Sequence, residues 1–326
     1  MNIYFKFNKK DKNTQFIKMA NSYNVTALPN YVDQMRPDLI AKAVIGAKSA
    51  GLFTLQTGVK GPTALNLISS NVVFGDGSAC GWTESGATSL SQAVLTPRAL
   101  KINMSICDKT LLSKWANYLV KVQANKLDSD LPFEEYFIED VIKNVKAGIE
   151  TMIYQGDSAN DSAIEFDGLL KILTATGNTT IVTTGASSVT SYNFIKQVAA
   201  QMPASILDRD DLVILVSMPM YLAYVQDLVS ANLYHYNPGN GENEYLLPGT
   251  NIRVIGVNGL NNTTSFDYAI AGSLSNMFYG TNLEDGEEIF DLWYSKDNRE
   301  FRLAIEFVAG VQVAFQNEIV LGKRAK

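Results

Sequence analysis

The longest run of regular apolar spacing lies in "PFEEYFIEDVIKNVKAGIETMIYQG", where Ile138, Ile142, Val145, Ile149 and Met152 recur at intervals of four, three, four and three. That period predicts a helix over 132–155, opened by Pro132 and stopped by Gly156. Glu134, Glu135, Glu139 and Asp140 cluster near its start, where the helix dipole favours negative charge. At about 1.5 Å per residue the helix is ~35 Å long, a spine for whatever packs on it. Shorter helical patterns follow Pro37 (from Asp38), Asp108 (Leu111, Leu112, Trp115, Leu119) and Ser191 (Phe194, Ile195, Val198, Met202). Ser217 and Pro219 open a further one, with Leu222, Val225, Leu228 and Val229 read as its apolar face.

Elsewhere the period is two. Leu100, Ile102, Met104 and Ile106 alternate with Lys101, Asn103 and Ser105, as in a half-buried strand. Residues 58–98 are rich in Gly, Ser and Thr: "ALNLISSNVVF" reads as a strand, "GDGSACGWTESGATS" as turns, and "LSQAVLTPRALKINMSI" as a returning strand that Pro97 confines to an edge or a bend. This hairpin-like excursion has too little apolar surface to fold on itself and is expected to lie on something else. "DLVILVS" is a wholly apolar strand of the buried kind, and "NIRVIGV" is a further strand. The chain closes all-β, from "AIAGSL" through "IFDLWYS", the tight "KDNR" and the alternating "EFRLAIEFV" and "VQVAFQN". That end is expected to form an antiparallel sheet with one dry face.

Composition narrows the class. The 326 residues, 46% hydrophobic and 18% charged, suffice for one large or two ordinary domains. No apolar run reaches the ~18 residues of a membrane helix, and "MNIYFKFNKKDKNTQFIKMA" lacks the pattern of a secretory signal. Cys80 and Cys107 are too few for a disulfide framework and are not spaced for zinc. The net charge of −6, with Arg confined to Arg36, Arg98, Arg209, Arg253, Arg299, Arg302 and Arg324, argues against tight nucleic-acid binding.

Catalytic constellations are not apparent. His235 is the single histidine, so multi-histidine zinc sites and most nucleophile–histidine schemes are excluded unless it serves. "GDGSACG" has its third glycine one residue late for a dinucleotide loop and runs into a Ser/Thr-rich segment rather than a helix. The polar loop "YQGDSANDSAIEFDGLLKIL" offers Asp157, Asn160, Asp161 and Asp167 as oxygen donors. It lacks the residue order of a calcium loop, so these are weak metal candidates. A calcium- or sugar-binding protein using the Asp157–Asp167 loop is the alternative from another functional class.

The long acidic helix, the Gly-Asp turn and the re-entry through Phe166-Asp167-Gly168-Leu169-Leu170 resemble the centre of tailed-phage major capsid proteins of the Hong Kong 97-like fold. The order of elements agrees along the whole chain. The resemblance implies an α+β fold: an N-arm (1–35), a short helical segment (36–57), an extended E-loop hairpin (58–98) and a peripheral domain (99–189) with the spine helix at 132–155. An α/β axial domain (190–260) follows, and residues 261–326 complete it and return strands to the peripheral sheet. It implies a structural protein, not an enzyme, without cofactors. Copies would form hexamers and pentamers of an icosahedral virion shell, synthesised in the host bacterial cytoplasm, enclosing double-stranded DNA without specific binding and without a membrane. Portal and scaffolding or vertex proteins would be its partners. Contacts between copies are expected at Phe5, Phe7, Phe16, Trp82, Glu84, Arg98, His235 and Tyr236. Some family members link an E-loop lysine to a neighbour's asparagine; here no lysine lies between Gly61 and Pro97, so a non-covalent shell is expected. The start at Met1 adds the expectation of a separate scaffolding protein, or none fused in front. An encapsulin nanocompartment shell shares the fold and is the alternative within it.

Overall fold

The computed structural model describes residues 27–71, 87–107, 109–110, 133–160, 165–175, 177, 179–185, 189–233, 244–282 and 289–326. The helices used below are α1 (Ala27–Val44), α2 (Lys48–Leu52), α3 (Phe133–Gln155), α4 (Leu169–Ala175), α5 (Ser191–Ala200) and α6 (Met218–Ser230). The strands are β1 (Thr54–Gln56), β2 (Thr63–Asn71), β3 (Ala87–Leu95), β4 (Arg98–Cys107), β5 (Thr180–Thr184), β6 (Leu212–Ser217) and β7 (Glu244–Leu246). They continue with β8 (Arg253–Val257), β9 (Phe266–Ser273), β10 (Met277–Thr281), β11 (Ile289–Ser295), β12 (Glu300–Val313) and β13 (Val320–Ala325). The chain divides into a larger unit, 40–101, 142–288 and 306–326, and a smaller one, 1–39, 102–141 and 289–305.

In the larger unit a six-stranded sheet runs β5-β13-β9-β6-β8-β7. β6 is parallel to β8 and antiparallel to β9, and is buried along its whole length. An apolar run with no polar alternate has nowhere else to go. Helices α5 and α6 cover the sheet, setting Phe194, Ile195, Val198, Met220, Tyr221 and Tyr224 against Ile214, Val216, Val254, Ala269 and Ala271. Both helices begin as their sequences predict. Thr190 Oγ1 accepts from the Asn193 amide at 3.3 Å, and Ser217 Oγ from the Met220 amide at 3.4 Å. Arg324 fastens the sheet to α5: its guanidinium donates to Asp267 at 2.8 Å and to Ser191 Oγ at 3.1 Å, over the Phe194 ring.

The same unit contains β1 parallel to β10 and β10 antiparallel to β12, with Met277 opposite Val313. Among the described residues β2 and β3 pair only with each other, from Thr63 opposite Leu95 to Asn71 opposite Ala87. At the root of this hairpin Val59, Leu65 and Leu95 pack with Ala93 and Phe278. In the smaller unit β11 turns into β12 through Lys296–Arg299, with Arg299 at φ 52°, and Tyr294 packs edge-on against Phe301 at 5.1 Å. Arg36 of α1 reaches Asp291 of β11 at 2.5 Å. β12 alternates as its sequence predicts, with Phe301, Leu303, Ile305 and Phe307 buried and Arg302 and Glu306 half-buried.

Several expectations are corrected. The helix placed after Pro37 begins at Ala27 and carries Pro37 inside it. Pro37 removes one amide from the ladder, and the burial of Val32, Leu39, Ile40, Ala43 and Val44 offsets that loss. The expected N-arm lies outside the described residues up to residue 26, and from Ala27 its sequence is helical. On α6 the buried stripe is Met220, Tyr221, Tyr224 and Leu228, while Leu222 and Val229 are 58% and 55% exposed. Two stripes of the same spacing compete there. The tyrosines win because their rings cover more area and Tyr224 places its hydroxyl on the Leu246 carbonyl at 3.1 Å. The terminal strands do not form one sheet: β9 and β13 join the α/β layer, and the last two alternating segments fuse into β12. β9 is buried along its C-terminal half, the signature of a central strand. Strand character breaks at Thr96-Pro97, between β3 and β4, and Met104 is 48% exposed despite its alternating position. The helix expected after Asp108 lies outside the described residues beyond 110.

Candidate functional site at the end of the long helix

The chain leaves α3 at Gly156 and crosses back over itself before α4. The Gly156 amide donates to the Met152 carbonyl at 3.0 Å, and the Gly168 amide to the Gly156 carbonyl at 2.8 Å. Two backbones meet here with no room for side chains. A Cβ on Gly168 would lie 2.7 Å from Gly156 N, Met152 O and Tyr154 C. Phe166, fully buried, anchors the returning strand.

Lys171, one turn into α4, organises the polar part of the crossing. Its Nζ donates to Asp167 Oδ1 at 2.6 Å, Asp157 Oδ1 at 2.7 Å and Ser158 Oγ at 3.0 Å. Asp157 Oδ1 also accepts the Ala159 amide at 2.9 Å, and Asp167 Oδ1 the Ser158 amide at 2.8 Å. The hydrogen bond from Lys171, reinforced by the Ala159 amide, holds the Asp157 carboxyl below its usual range. Burial pushes Asp167 up, but the bonds from Lys171 and Ser158 outweigh it and leave it lowered. The same bonds to Asp157 and Asp167 raise the Lys171 ammonium. An ammonium of this chain thus stands where the two carboxylates converge. Among the described residues no group of three or more His, Cys, Asp or Glu side chains is arranged to hold a metal.

Arg98 ties this crossing to the root of the hairpin. Its Nη1 donates to the Glu165 carbonyl at 2.9 Å and the Ser158 carbonyl at 3.2 Å, one on each leg of the crossing. A cavity of about 340 Å³ lies further along β4, lined by Ala99, Leu100, Lys101, Asn282, Glu306, Phe307 and Val308. Lys101 and Glu306 pair in it at 2.6 Å.

One turn before the crossing, α3 carries a buried carboxylate that the apolar pattern does not disclose. Glu150 is 5% exposed; its Oε2 accepts the Ser49 amide at 2.9 Å and its Oε1 the Ser49 hydroxyl at 2.6 Å. Ser49 Oγ also lies 2.6 Å from the Tyr154 hydroxyl. Burial, then the Glu150 charge, pushes the Tyr154 phenol well up, against the Ser49 bond. Gln155 completes the end of the helix by donating to the Gly259 and Asn261 carbonyls at 2.6 and 2.9 Å. A glutamate beside Ile149 is the sole sequence hint; its partner Ser49 is 101 positions away.

Of the residues singled out from sequence, Asp157 and Asp167 come together around Lys171, and Arg98 joins the same crossing. Asp161 of the metal candidates, and Phe5, Phe7, Phe16, Trp82, Glu84, His235 and Tyr236 of the expected contacts, lie outside the described residues. Large apolar side chains exposed on the described surface include Leu222, Val229, Trp293 and Ile181.

No family model matches the chain, and no curated protein matches its sequence. Solved structures match it by fold. A chain of the satellite phage P4 procapsid including the size determination (Sid) protein aligns with a TM-score of 0.58 at 10% identity, over 88% of this chain and 97% of that one. A chain from Gordonia phage Cozz aligns with a TM-score of 0.57 at 11% identity, over 87% of both chains. A chain from the capsid of an empty GTA particle aligns with a TM-score of 0.55 at 11% identity, over 87% of this chain and 90% of that one. The mixed α+β fold of this chain is therefore one that chains of phage and capsid particles share.

Proposed function

We propose that this chain is the major capsid protein of a tailed phage, and that its copies assemble into hexamers and pentamers of an icosahedral shell around double-stranded DNA. The observation that carries the reading is the fold itself, shared over nearly the whole chain with chains of a procapsid and a capsid. In Hong Kong 97-like terms β2–β3 is the E-loop, α3 the spine, the six-stranded sheet with α5 and α6 the axial layer, and β10–β12 the peripheral sheet.

The hairpin supports this. It is a two-stranded ribbon, and such a ribbon gains stability by lying on another surface. The exposed aliphatic stripe on α6 and the exposed Trp293 of β11 are suited to burial between copies, at ~25 cal/mol per Å² of apolar area covered. Repetition by symmetry turns modest contacts into a durable shell. An acidic chain poor in arginine suits a container along whose wall DNA must slide. With no lysine between Gly61 and Pro97, the shell is held without covalent links from the hairpin.

The test is expression of the chain, alone and with the phage's own assembly partners, followed by sedimentation and electron microscopy. Closed particles or capsomers are expected, migrating as unlinked subunits on denaturing gels. A chain that remains monomeric in both settings overturns the reading. Particles that carry an enzyme and no DNA overturn the phage assignment in favour of a nanocompartment.

A further inference from the structure

Four ties fix the root of the β2–β3 hairpin. Gln312 Nε2 donates to the Val94 carbonyl at 2.6 Å, and Leu95 fills the space that Gly280 leaves open. Gly310 admits the Thr96-Pro97 backbone; a Cβ there would stand 2.9 Å from Pro97 Cα. These three ties lead to β10 and β12. The fourth is Arg98, and it leads to the end of α3.

We propose that Arg98 is a positioning residue for assembly: it sets the direction in which the hairpin leaves its own subunit by bracing the hairpin's root against the crossing that closes the long helix. Three observations combine. Strand structure stops at Leu95 and resumes at Arg98, with Thr96-Pro97 between β3 and β4, so the chain pivots at Thr96-Pro97 and Arg98 is the first residue past the pivot. Its Nη1 holds both legs of the crossing, through carbonyls that no side-chain substitution can remove. The crossing is in turn stiff. Ser158 is held through its carbonyl by Arg98, through its amide by Asp167 and through its hydroxyl by Lys171. A brace of this kind transmits force between the β2–β3 ribbon and α3, so a ribbon seated on a neighbour also sets the end of the long helix.

The inference rests on the shell reading for the hairpin's destination, and the experiment separates the two. Arg98→Met keeps the apolar stem and removes the donors; Arg98→Lys restores a cation able to donate to two carbonyls. In the unassembled chain, Arg98→Met is expected to speed amide exchange at Val94, Leu95, Ser158 and Gly168 about tenfold, the scale of one charge-assisted bond, with a melting midpoint lowered by no more than about 2–4 °C. In assembly, Arg98→Met is expected to give open or mis-sized particles, and Arg98→Lys to restore the wild-type form. Normal shells from Arg98→Met, or unchanged exchange, overturn the brace. Failure of Arg98→Lys to rescue also overturns it, because that pattern marks a bidentate carboxylate partner on another copy. If the wild-type chain forms no particles, the shell reading falls and the exchange measurement alone decides the brace.

Discussion

Two glycine-to-alanine substitutions near the end of α3 should act with opposite signs. At Gly168 the new methyl would sit 2.7 Å from Gly156 N, Met152 O and Tyr154 C, all backbone atoms with no rotamer to escape into. Relief requires the two legs of the crossing to part, which stretches the 2.8 Å bond from the Gly168 amide to the Gly156 carbonyl. Overpacking costs ~1–3 kcal/mol and a weakened hydrogen bond about 1 more, so the loss should be ~2–4 kcal/mol. At Gly148, on the exposed face of the same helix, a Cβ meets nothing within 4 Å. Alanine there should gain ~0.8–1 kcal/mol by reducing the freedom of the unfolded chain. Urea denaturation of the unassembled protein, followed by far-UV circular dichroism, reads both. With a slope of ~3 kcal/mol per molar, the midpoint should fall by ~0.7–1.3 M for Gly168→Ala and rise by ~0.3 M for Gly148→Ala. An unchanged or raised midpoint for Gly168→Ala, or a lowered one for Gly148→Ala, would refute the close-crossing argument.

Ser49→Ala removes the hydroxyl shared by Glu150 and Tyr154 and leaves a buried carboxylate with the Ser49 amide as its remaining donor of the pair; a loss of ~1.5–3 kcal/mol is expected in the same assay. Leu222→Glu with Val229→Glu places charge on the exposed stripe of α6. Stability of the free chain should move by less than ~0.5 kcal/mol, while electron microscopy should show particle formation lost. The crossing should be indifferent to pH across the neutral range. Asp157 and Asp167 are lowered in the folded chain, so their contribution is present above the unfolded carboxylate value of ~3.9 and fades as pH falls through their folded values. Lys171 is raised, so its contribution is full below its unfolded value of ~10.4 and fades as pH climbs through its folded value. Exchange of the Ser158 amide between pH 3 and 7, corrected for intrinsic rate, should show protection lost only at the acid end; Lys171→Met should move that loss to higher pH, because the Asp167 carboxylate that holds the amide loses the cation that lowers it.

The crossing explains why an Asp-rich loop interrupts an otherwise continuous helical pattern. Its two described aspartates are matched by an internal ammonium, and its glycines are places where backbone meets backbone. The chemistry is that of a joint. It carries the chain from the end of α3 to the start of α4 across residues 156–168, and it gives the strand leaving the hairpin a fixed point to hold.

What the sequence determined by itself is what depends on near neighbours along the chain. The four-three spacing of Ile138, Ile142, Val145 and Ile149 sufficed for α3, and Ser217 for the start of α6, because helix periodicity and capping act within one or two turns. The unbroken apolar run of β6 declared a strand buried on both faces, and Pro97 declared a bend. Only the tertiary structure decided matters in which distant segments compete. It chose between two equally spaced stripes on α6, sent β13 to the α/β sheet rather than the sheet of β12, and brought Ser49 to Glu150. It also turned Arg98 inward onto the carbonyls of Ser158 and Glu165. In each case the outcome rests on which surface or polar partner a residue meets across a hundred or so positions of chain, or on the area covered when it does, and no local pattern encodes that meeting.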